Sequence, residues 1–533
     1  MELPLLRRAS ANDSQFLITP VDARPATSCG HGAGAPSALT PGRLPMAGEQ
    51  YRFHLEMSKC IGCKCCVVAC NEQNGNPPGI QWRRVGEIEG GIYPDTARRY
   101  LSMGCNHCLE PTCLEGCPVN AYTKDSLTGI VLHNANRCIG CQYCTWNCSY
   151  GVPQYNPERG VVGKCDMCHG RLSEGREPAC VTACPEEAIR IEIVNVDKWR
   201  SEYAAHANAP GLPSAGDSLS TTRITSSTAL PPDTDRVNTA QVRPEHAHWT
   251  LILMTVFTQL SVGAIVSMAA AQLFTGATAA RTPAAAVVLT ALLGLSASTL
   301  HLGRPIYAYR ALSMWRRSWL SREVLGFSLF ASASIAYAAL LWIPRTKQIL
   351  PMSLIDLLMR AHASLAAGML ATLVGAAAIY ASARLYTVSA RPMWKSRHTF
   401  LEFNLGALLT GMLAVSLFTP AVQTSLTRAA CCAALAILTQ QVVKFVQLWR
   451  APVFELRASA ELVRFRFPRV YLFRLCGLVA LPVVLLAAHP HLLARAMCVA
   501  LAIGLELVGR WLFFVTVVPK NMAATYLRER EAA

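Results

Sequence analysis

The chain has 533 residues, enough for two or three domains, and its 52% hydrophobic and only 15% charged residues are unusual for a soluble protein and indicate a membrane component. Most of the net charge of +16 lies in short Arg-rich segments between apolar runs in the second half. This argues against nucleic-acid binding, which would need one continuous basic face. Residues 1–47 contain no apolar signal core, so the 22 cysteines are not expected to form a secreted disulfide framework.

Three segments precede the apolar half of the chain. Residues 1–48 are rich in Ala, Pro, Ser and Gly without periodicity, which predicts a disordered extension with an isolated thiol at Cys29. Residues 49–203 are dense in cysteine and contain no run long enough to cross a bilayer. Residues 204–245 are rich in Pro, Ser, Thr and Ala, which predicts a flexible linker.

The cysteines of residues 49–203 fall into four groups of four. The first follows the C-x2-C-x2-C-x3-C spacing of bacterial ferredoxins, in which three thiolates wrap one cubane and the fourth ligates a second cluster. The groups therefore work in pairs. They are Cys60, Cys63, Cys66 and Cys70; Cys105, Cys108, Cys113 and Cys117; Cys138, Cys141, Cys144 and Cys148; and Cys165, Cys168, Cys180 and Cys184.

Zinc is the competing interpretation of any C-x-x-C pair, because thiolates also suit tetrahedral zinc. Its usual form is two such pairs, or one pair with two histidines, at a longer separation. Four groups of four cysteines, two of them followed by Pro118 and Pro185, indicate iron-sulfur ligation instead. Cys65 is surplus to the spacing and is expected to be a small buried thiol.

Eight apolar segments of spanning length follow the linker. A run such as 361–383 has no polar face to turn toward water, which favours membrane insertion over a soluble bundle. The predicted fold is an α+β ferredoxin-like domain at 49–203 followed by an all-α bundle of eight transmembrane helices at 246–533. The segments lie at 249–274, 282–303, 324–343, 361–383, 400–419, 429–448, 470–488 and 496–518.

Residues 51–199 resemble the four-cluster iron-sulfur subunit of the dimethyl sulfoxide reductase family of bacterial respiratory molybdoenzymes, notably in Cys138-Ile-Gly-Cys141-Gln-Tyr-Cys144. The resemblance implies that group one pairs with group four and group two with group three, giving four [4Fe-4S] clusters. Ser149 departs from the family, where proline usually follows the cysteine. The implied ligand sets are set I, Cys60, Cys63, Cys66 and Cys184; set II, Cys165, Cys168, Cys180 and Cys70; set III, Cys105, Cys108, Cys113 and Cys148; and set IV, Cys138, Cys141, Cys144 and Cys117.

Residues 246–533 resemble the membrane-anchor subunit of the same enzymes, in STLHLGRP at 298–305, LSRE at 320–323 and ELVGR at 506–510. That anchor is normally a separate polypeptide, so the chain is expected to be a natural fusion. The resemblance implies an electron-transfer and anchor subunit without catalytic residues of its own. It would relay electrons between a quinone (menaquinone or ubiquinone) and a molybdopterin-containing partner acting on a small sulfur compound, as in dimethyl sulfoxide reduction or sulfite oxidation.

Three ionisable residues near one end of the helices are candidates for binding quinone: His301, Glu323 and Arg510. His301 suits a hydrogen bond to a quinone oxygen and proton movement near neutral pH, with Glu323 as relay. Each has a structural alternative. His301 could satisfy carbonyl groups at a helix end, Glu323 could be a first-turn residue favoured by the helix dipole, and Arg510 could form an internal ion pair with Glu506.

Basic residues in the connections predict the orientation. The connections on the side of the N-terminus carry seventeen Lys and Arg, against six on the other side. The ferredoxin-type domain is therefore expected in the cytoplasm and the helices in the bacterial inner membrane. The rival function is a redox-driven ion pump or transporter, which would place ionisable residues through the full depth of the bilayer. Buried haem is disfavoured, because the other histidines lie near helix ends.

Overall fold

The computed structural model describes residues 39–206, 209, 212–214, 217–237, 242–275, 281–342, 363–487 and 491–520. The first half consists of short strands and helices. Its strands are β1 (Glu49–Glu56), β2 (Arg84–Gly90), β3 (Ala97–Met103), β4 (Tyr122–Lys124), β5 (Val131–His133), β6 (Gln154–Asn156), β7 (Val161–Gly163), β8 (Ile189–Asn195), β9 (Arg223–Thr225) and β10 (Asp235–Arg236). Its helices are α1 (Cys65–Asn74), α2 (Thr112–Gly116), α3 (Tyr143–Asn147), α4 (His169–Ser173), α5 (Ala179–Thr182) and α6 (Val196–His206).

Strand β1 organises the first sheet, in the order β8-β1-β9. It pairs antiparallel with β8, from Glu49 opposite Asn195 to Leu55 opposite Ile189, and parallel with β9. Alternate side chains of β1, including Phe53 and Leu55, enter the core between the cysteine-bearing loops, as the two-residue period of a strand requires. The second sheet has the order β10-β2-β3, and β4-β5 and β6-β7 form hairpins.

Two predicted boundaries of the ferredoxin-type domain differ from the structure. The predicted extension ran to residue 48, but Leu39 accepts a backbone hydrogen bond from Ile191 at 2.8 Å, so the described part of it packs on the domain. Residues 1–38, with Cys29, lie outside the described residues. The predicted linker at 204–245 contributes β9 and β10 to the two sheets. It is therefore part of the domain over much of its length.

Among the described residues of the second half, eight helices are long and apolar enough to cross a membrane, in agreement with the predicted number. A short helix (Phe454–Glu461) and a π-helical turn (Leu462–Arg466) lie between two of them. The spanning helices are α7 (Trp249–Thr275), α8 (Arg281–Leu300), α9 (Trp319–Trp342), α10 (Ala363–Tyr386), α11 (Arg397–Ser416), α12 (Gln423–Trp449), α14 (Pro468–Ala487) and α15 (Leu492–Val515), and α13 spans Phe454–Glu461.

Helix α7 is central and packs against α8, α10, α11 and α15. Its closest approach is to α11, where a side chain at Gly263 would collide with the backbone of Ala407 and one at Gly411 with the backbone of Gly263. Small residues at such crossings let helix backbones approach in a membrane, where packing replaces the hydrophobic effect as the driving force.

The two halves share one core through helix α3. Tyr143 and Trp146 are 3% and 5% exposed and belong to the hydrophobic cluster of the membrane half. The Tyr143 hydroxyl donates to the carbonyl oxygen of Leu385 at 2.9 Å, and the Trp146 ring lies 5.4 Å from that of Trp394. Because α3 also carries Cys144, this packing fixes set IV against the membrane helices.

Candidate functional site

The fold brings the sixteen cysteines together in the four sets implied by the resemblance. Set I lines one partly open cavity, and set III lines another. In set II, the Cys70 thiol faces those of Cys165, Cys168 and Cys180. In set IV, the Cys144 thiol faces those of Cys117, Cys138 and Cys141. Each set therefore combines cysteines from two distant groups.

The backbone around the cysteines is shaped to hold thiolates. Gly62 and Gly140 adopt φ values of +73° and +70° between two cysteines of their sets, a conformation that glycine adopts without strain. Backbone N–H groups point at the sulfur atoms, with distances of 3.4 Å from Gly140 N to Cys138 Sγ and 3.3 Å from Ala121 N to Cys117 Sγ. Hydrogen bonds of this kind stabilise the ligands of iron-sulfur clusters.

A mononuclear metal site needs its ligand atoms close together. Zn–S bonds of about 2.3 Å hold four thiolates in a tight tetrahedron. In the described part of the chain, no three His, Cys, Asp or Glu side chains are arranged to hold a single metal ion. Four thiols around a wider cavity, with N–H groups aimed at sulfur, fit a polynuclear cluster instead.

Buried polar side chains separate neighbouring sets and reveal a linear order. Arg83, 2% exposed, faces Cys66 of set I and Cys70, Cys165 and Cys180 of set II. Lys164, 3% exposed, faces Cys165 of set II and two cysteines of set III. Tyr122, 2% exposed, lies between Cys113 of set III and Cys144 of set IV. The order is therefore I, II, III, IV, with set IV against the membrane half and set I farthest from it.

The two buried cations remain charged beside the thiolates. Burial opposes the charge of Lys164, but the thiolates of Cys105, Cys113 and Cys165 raise its pKa above the usual value. Burial also opposes the charge of Arg83, and the thiolates of sets I and II raise its pKa. Each cation therefore offsets negative charge between two cysteine sets.

The membrane half docks directly on the loop of set IV. The backbone N–H of Arg304 donates to Ile139 O at 3.1 Å and that of Gly303 donates to Gly140 O at 3.4 Å. A side chain at Gly303 would collide with the carbonyl oxygen of Gly160, so glycine is required for this approach. The turn after α8 thus lies against the loop between Cys138 and Cys141.

His301 lies in this turn, outside the spanning helices, and its ring hydrogen-bonds to the backbone of Cys141. Burial lowers the pKa of His301 to about 4, against the opposing effect of that hydrogen bond. Its Nε2 is buried and has no hydrogen-bond partner among the described residues. The imidazole is therefore neutral near pH 7. It suits a hydrogen bond better than the proton relay expected from its ordinary pKa.

Glu323 lies on the same side of the membrane half as His301. Helix α9 begins at Trp319, four residues earlier than Glu323, so the carboxylate is beyond the first N–H groups and the dipole interpretation does not apply. Glu323 is 6% exposed, it contacts Ser382, and its Oε1 has no hydrogen-bond partner among the described residues.

Arg510 belongs to a different polar cluster. Its Nη2 donates to Gln259 Oε1 at 2.9 Å, and its guanidinium lies 3.9 Å from the centre of the Phe403 ring. The expected ion pair with Glu506 is wrong, because Glu506 pairs with Arg474 of α14 at 3.5 Å. The contacts of Arg510 are thus with α7 and α11.

Sequence analysis missed several residues of this site. Arg83, Lys164 and Trp146 are far apart in the sequence and follow no known spacing, although Lys164 directly precedes Cys165. His248 lies between Trp146 and His301. The centre of its ring is 5.2 Å from that of Trp146 and 5.3 Å from that of His301. Two features of the sequence could have identified them. Lys164 is a cation next to a ligand cysteine, and Trp146 is an aromatic residue within a cysteine group.

Comparisons with known proteins match both halves separately. The family profile "4Fe-4S dicluster domain" matches residues 96–193, and "DMSO reductase anchor subunit (DmsC)" matches residues 244–515. The sequence is 36% identical over 174 residues to a subunit of the anaerobic dimethyl sulfoxide reductase of Haemophilus influenzae, covering 31% of this chain and 83% of that protein. It is 37% identical over 174 residues to the subunit of the same name from Escherichia coli, with the same coverage.

A third relative carries a different name. The sequence is 34% identical over 160 residues to a subunit of the sulfite dehydrogenase of Allochromatium vinosum, and the match covers 26% of this chain and 67% of that protein. The anchor profile covers the membrane half.

Proposed function

Because this protein belongs to the dimethyl sulfoxide reductase anchor subunit family and carries a 4Fe-4S domain ahead of the anchor, we propose that it relays electrons between quinone in the membrane and a separate catalytic subunit. The protein is the electron-transfer and membrane-anchor component of an oxidoreductase complex, with both functions fused in one polypeptide. Eight spanning helices make it a multi-pass membrane protein.

Sets I to IV hold four [4Fe-4S] clusters in this proposal. When bound, the clusters supply one-electron carriers in a row. The protein holds each thiolate set with backbone N–H groups, as at Cys138, and places the charges of Arg83 and Lys164 between sets.

One observation supports the connection to the membrane most directly, the docking of the His301 turn on the set IV loop. Arg304 and Gly303 bond the backbone between Cys138 and Cys141, so the membrane side reaches the last cluster site without an intervening element. His301 Nε2 is buried and unpartnered among the described residues. In this proposal, it accepts a hydrogen bond from a hydroxyl group of the quinol form of menaquinone or ubiquinone, and Glu323 exchanges the proton.

The opposite end of the row has the character of a docking surface for the catalytic subunit. Ile61, between Cys60 and Cys63 of set I, is 57% exposed, and Val68 of α1 is 59% exposed. Apolar side chains beside an accessible cluster site suit a protein partner. The proposed partner is a molybdopterin-containing subunit acting on a small sulfur compound, since relatives are named for dimethyl sulfoxide and sulfite.

The iron-sulfur half packs on the face of the membrane helices that carries the basic connections, for example through Arg310 to Asn136 O at 3.0 Å. The excess of Lys and Arg on that face supports a cytoplasmic position for sets I to IV and a location in the bacterial inner membrane. A cytoplasmic enzyme would then deliver electrons to the quinone pool.

A redox-driven ion pump is the second candidate, and the charge distribution argues against it. In the described spanning helices, the acidic side chains are Glu323, Glu402 and Glu506, and the first two lie near the iron-sulfur face. Glu506 lies near the middle of α15 and is paired with Arg474, whereas the opposite ends carry arginines such as Arg281 and Arg495. A conduction path would need ionisable groups throughout.

The test is His301→Ala, with His491→Ala on the opposite face as the matched control. His301→Ala is expected to retain membrane assembly and iron content while losing cluster reduction by a quinol, measured optically after rapid mixing. His491→Ala should reduce at the unmodified rate. Unmodified reduction in His301→Ala would show that His301 is structural, and the search would move to Lys444 and Arg510.

A further inference from the structure

A cavity with polar side chains in its walls lies within the membrane half, between α11, α12, α14 and α15. It is separate from the cavities of the cysteine sets. The empty space within it, including the part open to the surroundings, is about 400 Å³, and none of His301, Glu323 or the cysteine sets lines it. The polar side chains that line it include Glu402, Gln441, Lys444, Tyr471 and Arg474. These are all near the iron-sulfur ends of their helices, at the depth where a membrane-soluble head group would lie.

Glu402 is the centre of the polar wall. Lys444 Nζ and Gln441 Nε2 both donate to Glu402 Oε1 at 2.8 Å, and Gln440 Nε2 donates to the same oxygen at 3.3 Å. Donors in the described residues therefore converge on one carboxylate oxygen. The other, Oε2, remains available to accept a hydrogen bond from a ligand.

Arg474 supplies the donor on the opposite side. It is 4% exposed, it pairs with Glu506 at 3.5 Å through Nη2, and its Nε is buried without a hydrogen-bond partner among the described residues. The guanidinium lies against α15, where a side chain at Gly509 would collide with it. An unpaired buried donor of this kind is costly unless a ligand satisfies it.

The remaining walls are apolar and aromatic. Phe445, Leu448, Leu512 and Phe513 line the cavity, and Lys444 Nζ lies 5.6 Å from the centre of the Phe513 ring. The rings of Phe445 of α12 and Tyr471 of α14 lie 5.7 Å apart between centroids and are only partly buried. Rings at that separation pack against each other, so they form a partly buried aromatic wall of the cavity.

We propose that this cavity is a second binding site for the head group of a quinone or quinol, distinct from the site at His301. A flat ring suits the aromatic walls. Arg474 Nε donates to a carbonyl oxygen on one side, and Glu402 Oε2 accepts from a quinol hydroxyl on the other. The inference takes the class of ligand from the proposed function. It places that ligand at residues to which the proposed function assigns no role.

The position of the Glu402 carboxylate favours a neutral ring over a phospholipid phosphate. Lys444 is paired with Glu402 and Arg474 with Glu506, which leaves Arg510 as the one additional cation in the cluster as described. A phosphate placed against Arg474 would also face the Glu402 carboxylate. A neutral oxygen-bearing ring avoids that repulsion.

The experiment uses an azidoquinone with a short alkyl chain, photolysed with the full-length protein in phosphatidylcholine nanodiscs, and peptide mass spectrometry to locate the label. Labelling is expected on residues 441–448 and 463–474. Arg474→Gln should reduce it by about tenfold, because a charged donor is lost. Gly509→Ala should reduce it too, because the new methyl group displaces the guanidinium while keeping its charge. Arg469→Gln, at an exposed position of the same helix, is the control and should label normally.

His301→Ala distinguishes this inference from the proposed function. The second site predicts that His301→Ala still labels at 441–448, even where quinol-linked reduction is lost. Labelling confined to the His301 turn would overturn the second site and leave the proposed function intact. Loss of label at 441–448 on adding phosphatidylglycerol to the nanodiscs would assign the cavity to an anionic lipid and equally overturn it.

Discussion

Replacing Lys164 by glutamine is expected to lower the reduction potentials of the clusters at sets II and III. The Lys164 ammonium lies between these sets and donates to Cys165 O at 2.8 Å. A positive charge stabilises the cluster that has gained an electron. Removing it therefore makes reduction less favourable at both neighbours, while sets I and IV are separated from it by Arg83 and Tyr122.

The size of the shift follows from Coulomb's law. A unit charge about 8 Å from a cluster centre, at an effective dielectric constant of about 20, interacts with an added electron by about 2 kcal/mol. For a one-electron couple this corresponds to a fall on the order of 90 mV.

Lys164→Arg keeps the charge and should shift both potentials far less. Glutamine keeps an amide donor, which limits the cost of leaving the Val131 and Cys165 carbonyl groups unpaired.

Redox titration followed by electron paramagnetic resonance measures all four potentials in one preparation. Lys198→Gln, at an exposed position of the same half, is the control for a change of net charge. Two potentials falling together, with the other two nearly constant, is the expected pattern. Four unchanged potentials, or equal shifts at all four clusters, would refute the linear order of the sets.

Iron and acid-labile sulfide analysis of the purified protein should give about sixteen irons in four cubanes; a zinc-rich, iron-free protein would contradict the cluster assignment. Alkaline phosphatase fused after residue 533 should be inactive, because eight crossings return the C-terminus to the cytoplasmic side, and an active fusion would reverse the orientation. Glu323→Gln should slow quinol-linked cluster reduction less than His301→Ala does, since the amide still hydrogen-bonds but cannot take a proton. Gly303→Ala should slow the same reaction at full iron content, because the added methyl group separates the turn from Gly160; an unaltered rate would show that the close docking is unnecessary.

Local patterns in the sequence predicted the parts of the protein that depend on local structure. The cysteine spacing predicted four groups, and the apolar runs predicted eight helices within a few residues, as at 249–274 against Trp249–Thr275. The pairing into sets came from the family resemblance, since groups far apart in sequence meet only in the fold. Set II, for example, joins Cys70 to cysteines about a hundred residues further along.

The remaining errors concern properties that only tertiary packing creates. Residues Arg223–Thr225 form an edge strand through backbone hydrogen bonds to β1, which their polar linker composition does not indicate. Glu506 and Arg510 are one helical turn apart, yet Arg474 from another helix captures the carboxylate. The lowered pKa of His301 comes from burial by a half of the protein that lies far away in sequence.

The segment predicted to be a linker pairs with strands of the iron-sulfur half. This pairing also affects how the two halves associate. Since β10 ends at Arg236, which already reaches Glu455 of the membrane half at 3.5 Å, the connection from one half to the other is short. A short tether keeps the two docking surfaces at a local concentration on the order of millimolar. The interface at the His301 turn therefore persists at affinities that would let two separate subunits dissociate, and each membrane half always retains its own row of cysteine sets.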